Sequence, residues 1–238
     1  MRGHICNLGL RQPLDLTFHH YVSRKRESAR NMSEILSVGH SSQSYSAFAM
    51  LLKNEGVTAI ADVRSSPFSK HYPQYNRTQL KAALAEDKIS YVFLGRELGG
   101  RPNHPHLYTH GIADYEKMAR TSSFETGLQR LERGAERFRI AMMCSEHDPL
   151  DCHRCLLVGR ALTERGHVVR HIVQASTPIV QDQIEQWLLE QAGKIHDDMF
   201  APYQVRLEEA YRERANKVAF IERAPNSHED LNDWTYHE

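Results

Sequence analysis

The chain has 238 residues, enough to bury one full core with appendages or two small domains. Lys plus Arg and Asp plus Glu total 30 each, so no overall field draws the protein onto nucleic acid or anionic lipid; a local basic groove stays open. Four cysteines do not make a disulfide framework at this length, and three of them, Cys144, Cys152 and Cys155, crowd one segment while Cys6 stands apart. No apolar run is long enough to span a membrane, and residues 1–31 lack the continuous apolar stretch of a secretory signal. A reducing cytoplasm is the expected compartment, where clustered thiols point to reactivity or metal rather than to staples.

Residues 1–31 are irregular and carry the charged run Arg24-Lys25-Arg26-Glu27; Met32 offers a second start just before the first strand-like run. This leader reads as a disordered arm or a mis-called start. Ile35–Gly39 is a strand closed by a glycine turn, and Tyr45, Phe48, Ala49 and Leu52 follow at helical spacing. Val57–Val63 is a second apolar run, ended by Asp62-Val63-Arg64 and a loop holding Pro67 and Pro73. Asn76 with Gln79 marks a helix start, whose apolar side is Leu80, Ala83 and Leu84. Ser90–Leu94 is the third strand.

Gly95–Gly111 is a long loop, and such loops inside compact domains are often functional. The spacing of Phe124, Leu128, Leu131 and Ala135 predicts one helix from Tyr115 to about Ala135. Phe138–Met143 is the fourth strand, Cys152–Arg165 a helix closed by Gly166, and Val168–Val173 the fifth strand. This alternation predicts an α/β fold: a mostly parallel open sheet covered by helices on both faces, Rossmann-like or flavodoxin-like. The domain is expected over 32–178. A helical extension with Ile184, Trp187 and Leu188 is expected over 179–224, and a flexible polar tail over 225–238.

Chemistry concentrates in Met143–Arg154, between a buried strand and a helix, where open α/β sheets bind ligands. Asp151 is expected to cap the helix, leaving Cys152, His153 and Arg154 in a first turn that favours anions and lowers a thiol pKa. Arg154 opposes the dipole there, so a partner anion is expected. Cys144 fits a core role as well as a site role, Cys155 fits packing beside Leu156, and Glu146 fits a plain loop carboxylate. Thiolate and imidazole ligands make a metal reading available, but Cys152-x-x-Cys155 would lie within a helix start and has no second pair, so it ranks below a thiol or anion site. Asp62-Val63-Arg64 and Ser69 end the second strand at the same edge, where the Arg64 fork suits phosphate or carboxylate. His40, after the first strand, admits structural and functional readings equally.

Val38-Gly39-His40-Ser41, Asp62-Val63-Arg64-Ser65-x-Pro67-x-Ser69, Leu98-Gly99-Gly100 and Met143-Cys144-x-Glu146-x-x-Pro149-x-x-Cys152-His153-Arg154 resemble, in order and spacing, the domain-of-unknown-function family 488. The likeness runs from about Ile35 to Val173. It implies an α/β fold and, through a label carried by some members, a DNA-repair association. Cys155 has no counterpart in that pattern, and the resemblance therefore lends no support to a CxxC site.

The expected function is an enzyme acting on an anionic small molecule or nucleotide. Cys152 or Cys144 would be the nucleophile, Glu146 or His153 would move protons, and Arg154, Arg64, Asp62, His40 and Ser69 would hold the anion. No cofactor, metal or membrane partner is expected, and oligomeric state is left open. The alternatives are a nucleic-acid binding or repair module using Lys70-His71-Tyr72 with Tyr75 and Arg77, and a metal-binding or non-catalytic scaffold.

Overall fold

The computed structural model describes residues 32–173, 177–196 and 200–222. The expected arm over 1–31, with Cys6, and the expected tail from 225 lie outside the described residues. Strand β1 (Glu34–Gly39) leads through α1 (Tyr45–Asn54) to β2 (Ala59–Asp62), and α2 (Arg77–Glu86) leads on to β3 (Ser90–Phe93). The glycine-rich connection holds a short helix, α3 (Gly95–Leu98), and a two-residue strand pair, β4 (Tyr108–Thr109) with β5 (Ile112–Ala113). Helices α4 (Tyr115–Ala119) and α5 (Ser122–Ala135) precede β6 (Ile140–Cys144). A π-helical turn at Arg154–Gly159 runs into α6 (Arg160–Glu164) and β7 (Val168–Ile172). Beyond β8 (Ile179–Val180) lie α7 (Gln181–Gln191) and α8 (Tyr203–Val218).

The main sheet has the order β3-β2-β6-β1-β7-β8, parallel throughout except for β8. The expected α/β architecture is present. Its strand order differs from the usual doubly wound one, because β6 lies between β2 and β1. Every residue of β2 and β6 is buried, as a doubly covered parallel sheet requires. Side chains alternate between two apolar clusters. Leu36, Val38, Ile60, Ala141 and Met143 face α1 and α2, whereas Ile35, Ala59, Ala61, Ile140 and Met142 face the opposite layer. On that second face the α5 stripe Phe124, Leu128 and Leu131 is buried, each side chain contributing about 1.5–3 kcal/mol of transfer free energy.

This order sets the site. β1 and β6 are neighbours, but α1 leaves β1 for one face and the segment after β6 returns over the other, leaving a crevice beyond their carboxyl ends. The expected shared edge for Gly39, Arg64 and Cys144 is present, since Gly39 pairs with Cys144 and Asp62 with Met143.

Two helices depart from expectation. The predicted helix over Tyr115–Ala135 is broken at Thr121, whose hydroxyl caps α5 by accepting from Phe124 N; Asp114 caps α4 in the same way. The expected helix from Cys152 also starts later. Asp148, not Asp151, is the capping side chain, and it caps a 3₁₀ turn over Pro149–Asp151; Asp151 pairs instead with Arg214 of α8. Cys152 is extended, at φ −137° and ψ 137°, and the π turn opens only at Arg154. The dipole argument for Cys152 therefore loses its geometric basis. Likewise Asn76 begins α2 without a side-chain cap, its Oδ1 accepting from Ser69 N.

Candidate functional site

The carboxyl edge of β1, β2 and β6 opens into a cavity of about 790 Å³. Its floor carries Cys144, Glu146, Cys152 and His153. Cys144 ends β6, while Cys152 and His153 join the 3₁₀ turn to the π turn; a loop of seven residues brings the second thiol back beside the first. The thiol of Cys144 donates to Glu146 Oε2 at 2.9 Å, and that of Cys152 to the same oxygen at 3.4 Å. His153 Nδ1 lies 3.8 Å from Cys144 Sγ and 3.9 Å from Cys152 Sγ.

His153 is oriented from behind. Its Nε2 donates to the Val63 carbonyl at 2.9 Å, which leaves Nδ1 turned to the sulfurs. The ring also depends on Gly100, because a Cβ there would fall 2.8 Å from its Cγ. Burial opposes the charge of His153, but Cys144, the Val63 carbonyl and Glu146 together raise its pKa above the ordinary value. Burial pushes the Cys144 thiol up, and the adjacent Cys152 adds to this, while His153 acts in the opposite sense. The Glu146 carboxyl is lowered: its partial burial acts upward, and the bonds from Cys144 and Cys152 with the His153 charge outweigh it.

Arg154 is fully buried and does not reach the cavity. Its guanidinium donates to the carbonyls of Glu146 at 2.7 Å and His147 at 3.0 Å, and to Ser37 Oγ at 3.3 Å. It fastens the loop under the site instead of holding an anion. Burial disfavours its charge, and the thiols of Cys152 and Cys144 favour it. Gly39 belongs to the same joint, since a Cβ there would sit 1.9 Å from the Glu146 carbonyl oxygen.

Arg64 does line the cavity, paired with Asp62 through Nε at 2.9 Å and Nη2 at 2.7 Å. Tyr91 donates to Asp62 Oδ2, and Arg64 donates further to the Tyr75 carbonyl and to His40 Nε2. Four of its five N–H groups thus have acceptors, and the fifth belongs to Nη1. Asp62 is fully buried beneath this arginine, so it positions Arg64 and does not meet a ligand. His40 lies against Tyr75 with ring centroids 4.0 Å apart, and burial lowers its pKa to about 4. It is neutral, with Nδ1 donating to the Ser41 carbonyl and Nε2 accepting from Arg64. Ser69 lines the wall and accepts from Tyr72 N.

Cys155 stands apart, its sulfur against Gln181 at 3.6 Å, and burial pushes its thiol up to about 12. Of the aromatic and basic set weighed for nucleic acid, Tyr75 is buried and Arg77 lies over Phe93, so neither is free to stack on a base. Sequence reasoning singled out the Gly95–Gly111 loop with Gly100, but it missed the cavity residues Arg101, Tyr115 and Phe220 as site residues. It also missed the buried relay behind Arg154. Ser37 Oγ meets His171 Nδ1 at 2.8 Å, His171 Nε2 donates to Gln181 Oε1 at 2.6 Å, and Gln181 donates to Tyr211, which donates to Glu185.

Residues 44–161 match the model of the family described as Domain of unknown function DUF488. Through this segment the chain belongs to the DUF488 family. The match runs from α1 to the start of α6 and includes every cavity-floor residue. No curated protein and no solved structure matches the chain. Among the described residues, no helix of this DUF488 protein is long and apolar enough to cross a membrane.

Proposed function

We propose that this DUF488 protein is an enzyme acting on an anionic small molecule or nucleotide, with a thiol of the Cys144–Cys152 pair as nucleophile. The observation that carries this reading is one imidazole nitrogen, His153 Nδ1, within 3.9 Å of both sulfurs while Nε2 is held on a backbone carbonyl. In this reading Nδ1 takes the proton of the attacking thiol. The sulfur bonds to the electrophilic atom of the substrate, and the leaving group departs with a proton returned by His153 or Glu146. Water then cleaves the covalent intermediate and restores the thiol. The remaining Arg64 N–H and the exposed Arg101, both at the cavity wall, supply cationic contacts for the anion. The size of the cavity fits a nucleotide-sized ligand.

The test is a thermal-shift screen of nucleotides and small phosphate or carboxylate compounds on metal-free protein, followed by mass spectrometry of products and acid-quenched protein. The expected result is a stabilising compound that is turned over and leaves an adduct on the Cys144 or Cys152 peptide. Turnover that persists in the Cys144→Ser/Cys152→Ser double variant would refute the thiol mechanism.

A further inference from the structure

We propose that Cys144, Cys152 and His153 form a binding site for one soft divalent cation of the zinc class, with Glu146 as fourth ligand. This goes beyond the nucleophile reading, because an ion there would occupy the same thiols and hold them out of reaction.

The geometry carries the proposal. The two Sγ atoms and His153 Nδ1 all lie within 4.8 Å of one another, and all three residues are buried. Four-coordinate zinc with ligand bonds of about 2.0–2.3 Å has ligand-to-ligand edges of roughly 3.3–3.8 Å. The sulfur-to-nitrogen edges here are 3.8 and 3.9 Å, and the sulfur-to-carboxylate edges are 2.9 and 3.4 Å. The two sulfur-to-nitrogen edges therefore already lie close to those of a tetrahedral site, and Glu146 Oε2 lies against both sulfurs. A slight inward shift of Nδ1 brings those three ligands to bonding distance of one ion, and the Glu146 carboxylate, free to turn at the cavity, is the fourth.

The surroundings agree on two independent counts. A metal-ligating histidine is held by a partner on its other ring nitrogen, and Val63 supplies that carbonyl at 2.9 Å. Arg154, fully buried beneath the loop, donates to two carbonyls and a hydroxyl, and it has no carboxylate partner among the described residues. A dication bound by two thiolates and a carboxylate carries a net charge of −1, which supplies the countercharge that a buried guanidinium otherwise lacks. Cys155 is excluded from the set, since its sulfur points to Gln181. The ligand pattern is thus not the Cys152-x-x-Cys155 half-site. It is a pair from the strand end and the loop, Cys144 and Cys152, with the next residue, His153.

Binding exchanges for the ion the two thiol protons together with the proton carried by Nδ1 in the charged fraction of His153, so each cation taken up releases between two and three protons to solvent. The experiment is titration of chelator-stripped full-length protein with cobalt(II), followed by absorption, and with zinc(II), followed by calorimetry in buffers of different ionisation enthalpy. The expected result is one tight equivalent, an intense sulfur-to-cobalt charge-transfer band with the strong visible bands of a tetrahedral site, and about two to three protons released. Cys144→Ser and Cys152→Ser should each weaken binding at least a hundredfold and remove part of the charge-transfer band. Cys155→Ser should leave both unchanged. A wild-type titration without the charge-transfer band, or with binding unaltered in the Cys144→Ser/Cys152→Ser double variant, overturns the site; because the wild-type spectrum is itself diagnostic, a variant that misfolds does not spare the proposal. The spectrum reads binding alone, so an ion site without turnover refutes the enzyme, and turnover by a metal-free protein that binds no cobalt refutes the ion.

Discussion

Arg154 reaches across the crevice floor to the carbonyl of Glu146 at 2.7 Å, so the residue that best fits an anion clamp by its sequence position serves as an internal bolt. Through Glu146 it fixes where the carboxylate meets the two thiols. The site is consequently a property of the loop and its fastening together.

Replacing that bolt should cost stability before it costs chemistry. Arg154→Ala strands the Glu146 and His147 carbonyls and removes one of the two partners of Ser37 Oγ, and each buried unpaired group costs roughly 1–3 kcal/mol. A loss of at least about 3 kcal/mol in urea unfolding is expected. Arg154→Lys should recover little, because one ammonium cannot replicate the three-way fork. A loss under about 1 kcal/mol for the alanine variant would show that the loop is held by other means.

Gly39→Ala tests the same joint from the strand side. A methyl group 1.9 Å from the Glu146 carbonyl oxygen meets backbone, which must move. Faster alkylation of Cys144 and Cys152 is expected, with a lower melting temperature. Unchanged labelling and melting would mean that the loop yields freely.

The three described thiols should separate by environment. Cys144 and Cys152 line the cavity, whereas Cys155 is sealed against Gln181 with its thiol pushed up to about 12. Alkylation of folded protein followed by peptide mapping should mark the first two and spare Cys155 until denaturant is added. Burial holds the Cys144 thiol up, so its labelling should speed up as pH rises. Rapid labelling of Cys155 in the folded state would contradict the packing described.

Acid should destabilise the fold through His171. Burial is the main cause lowering its pKa to about 4, aided by Arg154 and opposed by the Gln181 bond, against about 6.5 in the unfolded chain. Between those values the unfolded chain takes up a proton that the folded chain refuses, so stability falls as pH drops through about 6.5 and levels off below about 4. This one residue accounts for about 2 kcal/mol between pH 7 and pH 5. Buried His40 acts in the same sense; His153, whose pKa is raised, acts in the opposite one. His171→Gln should flatten the profile measured by urea unfolding at the two pH values, and an unaltered slope would refute the assignment.

Much of this was legible in the sequence where local pattern and burial agree. Apolar runs such as Phe138–Met143 located the five parallel strands to within two residues, though not the short β4, β5 and β8, and Cys144, Glu146, Cys152 and His153, grouped by their spacing, line one cavity. Where a polar group acts at a distance, the pattern was silent. Ser37 and His171 stand in apolar strands, a hint of a buried partner, but only register places them side by side. The Val63 contact to His153 is backbone and leaves no mark on residue choice. The break before α5 was readable in Thr121, a capping residue overridden by the strong apolar stripe that follows.

Strand β1 has one further meaning. It lies between β6 and β7 in the sheet, yet it precedes residue 44, where the family match begins, and β7 follows its end at 161. A protein trimmed to the matched span would expose the bare flank of β6, a fully apolar strand with unpaired backbone donors and acceptors. Such a flank is a template for chain-to-chain pairing and aggregation. The segment that carries the chemistry therefore cannot be excised from the strands that shield it.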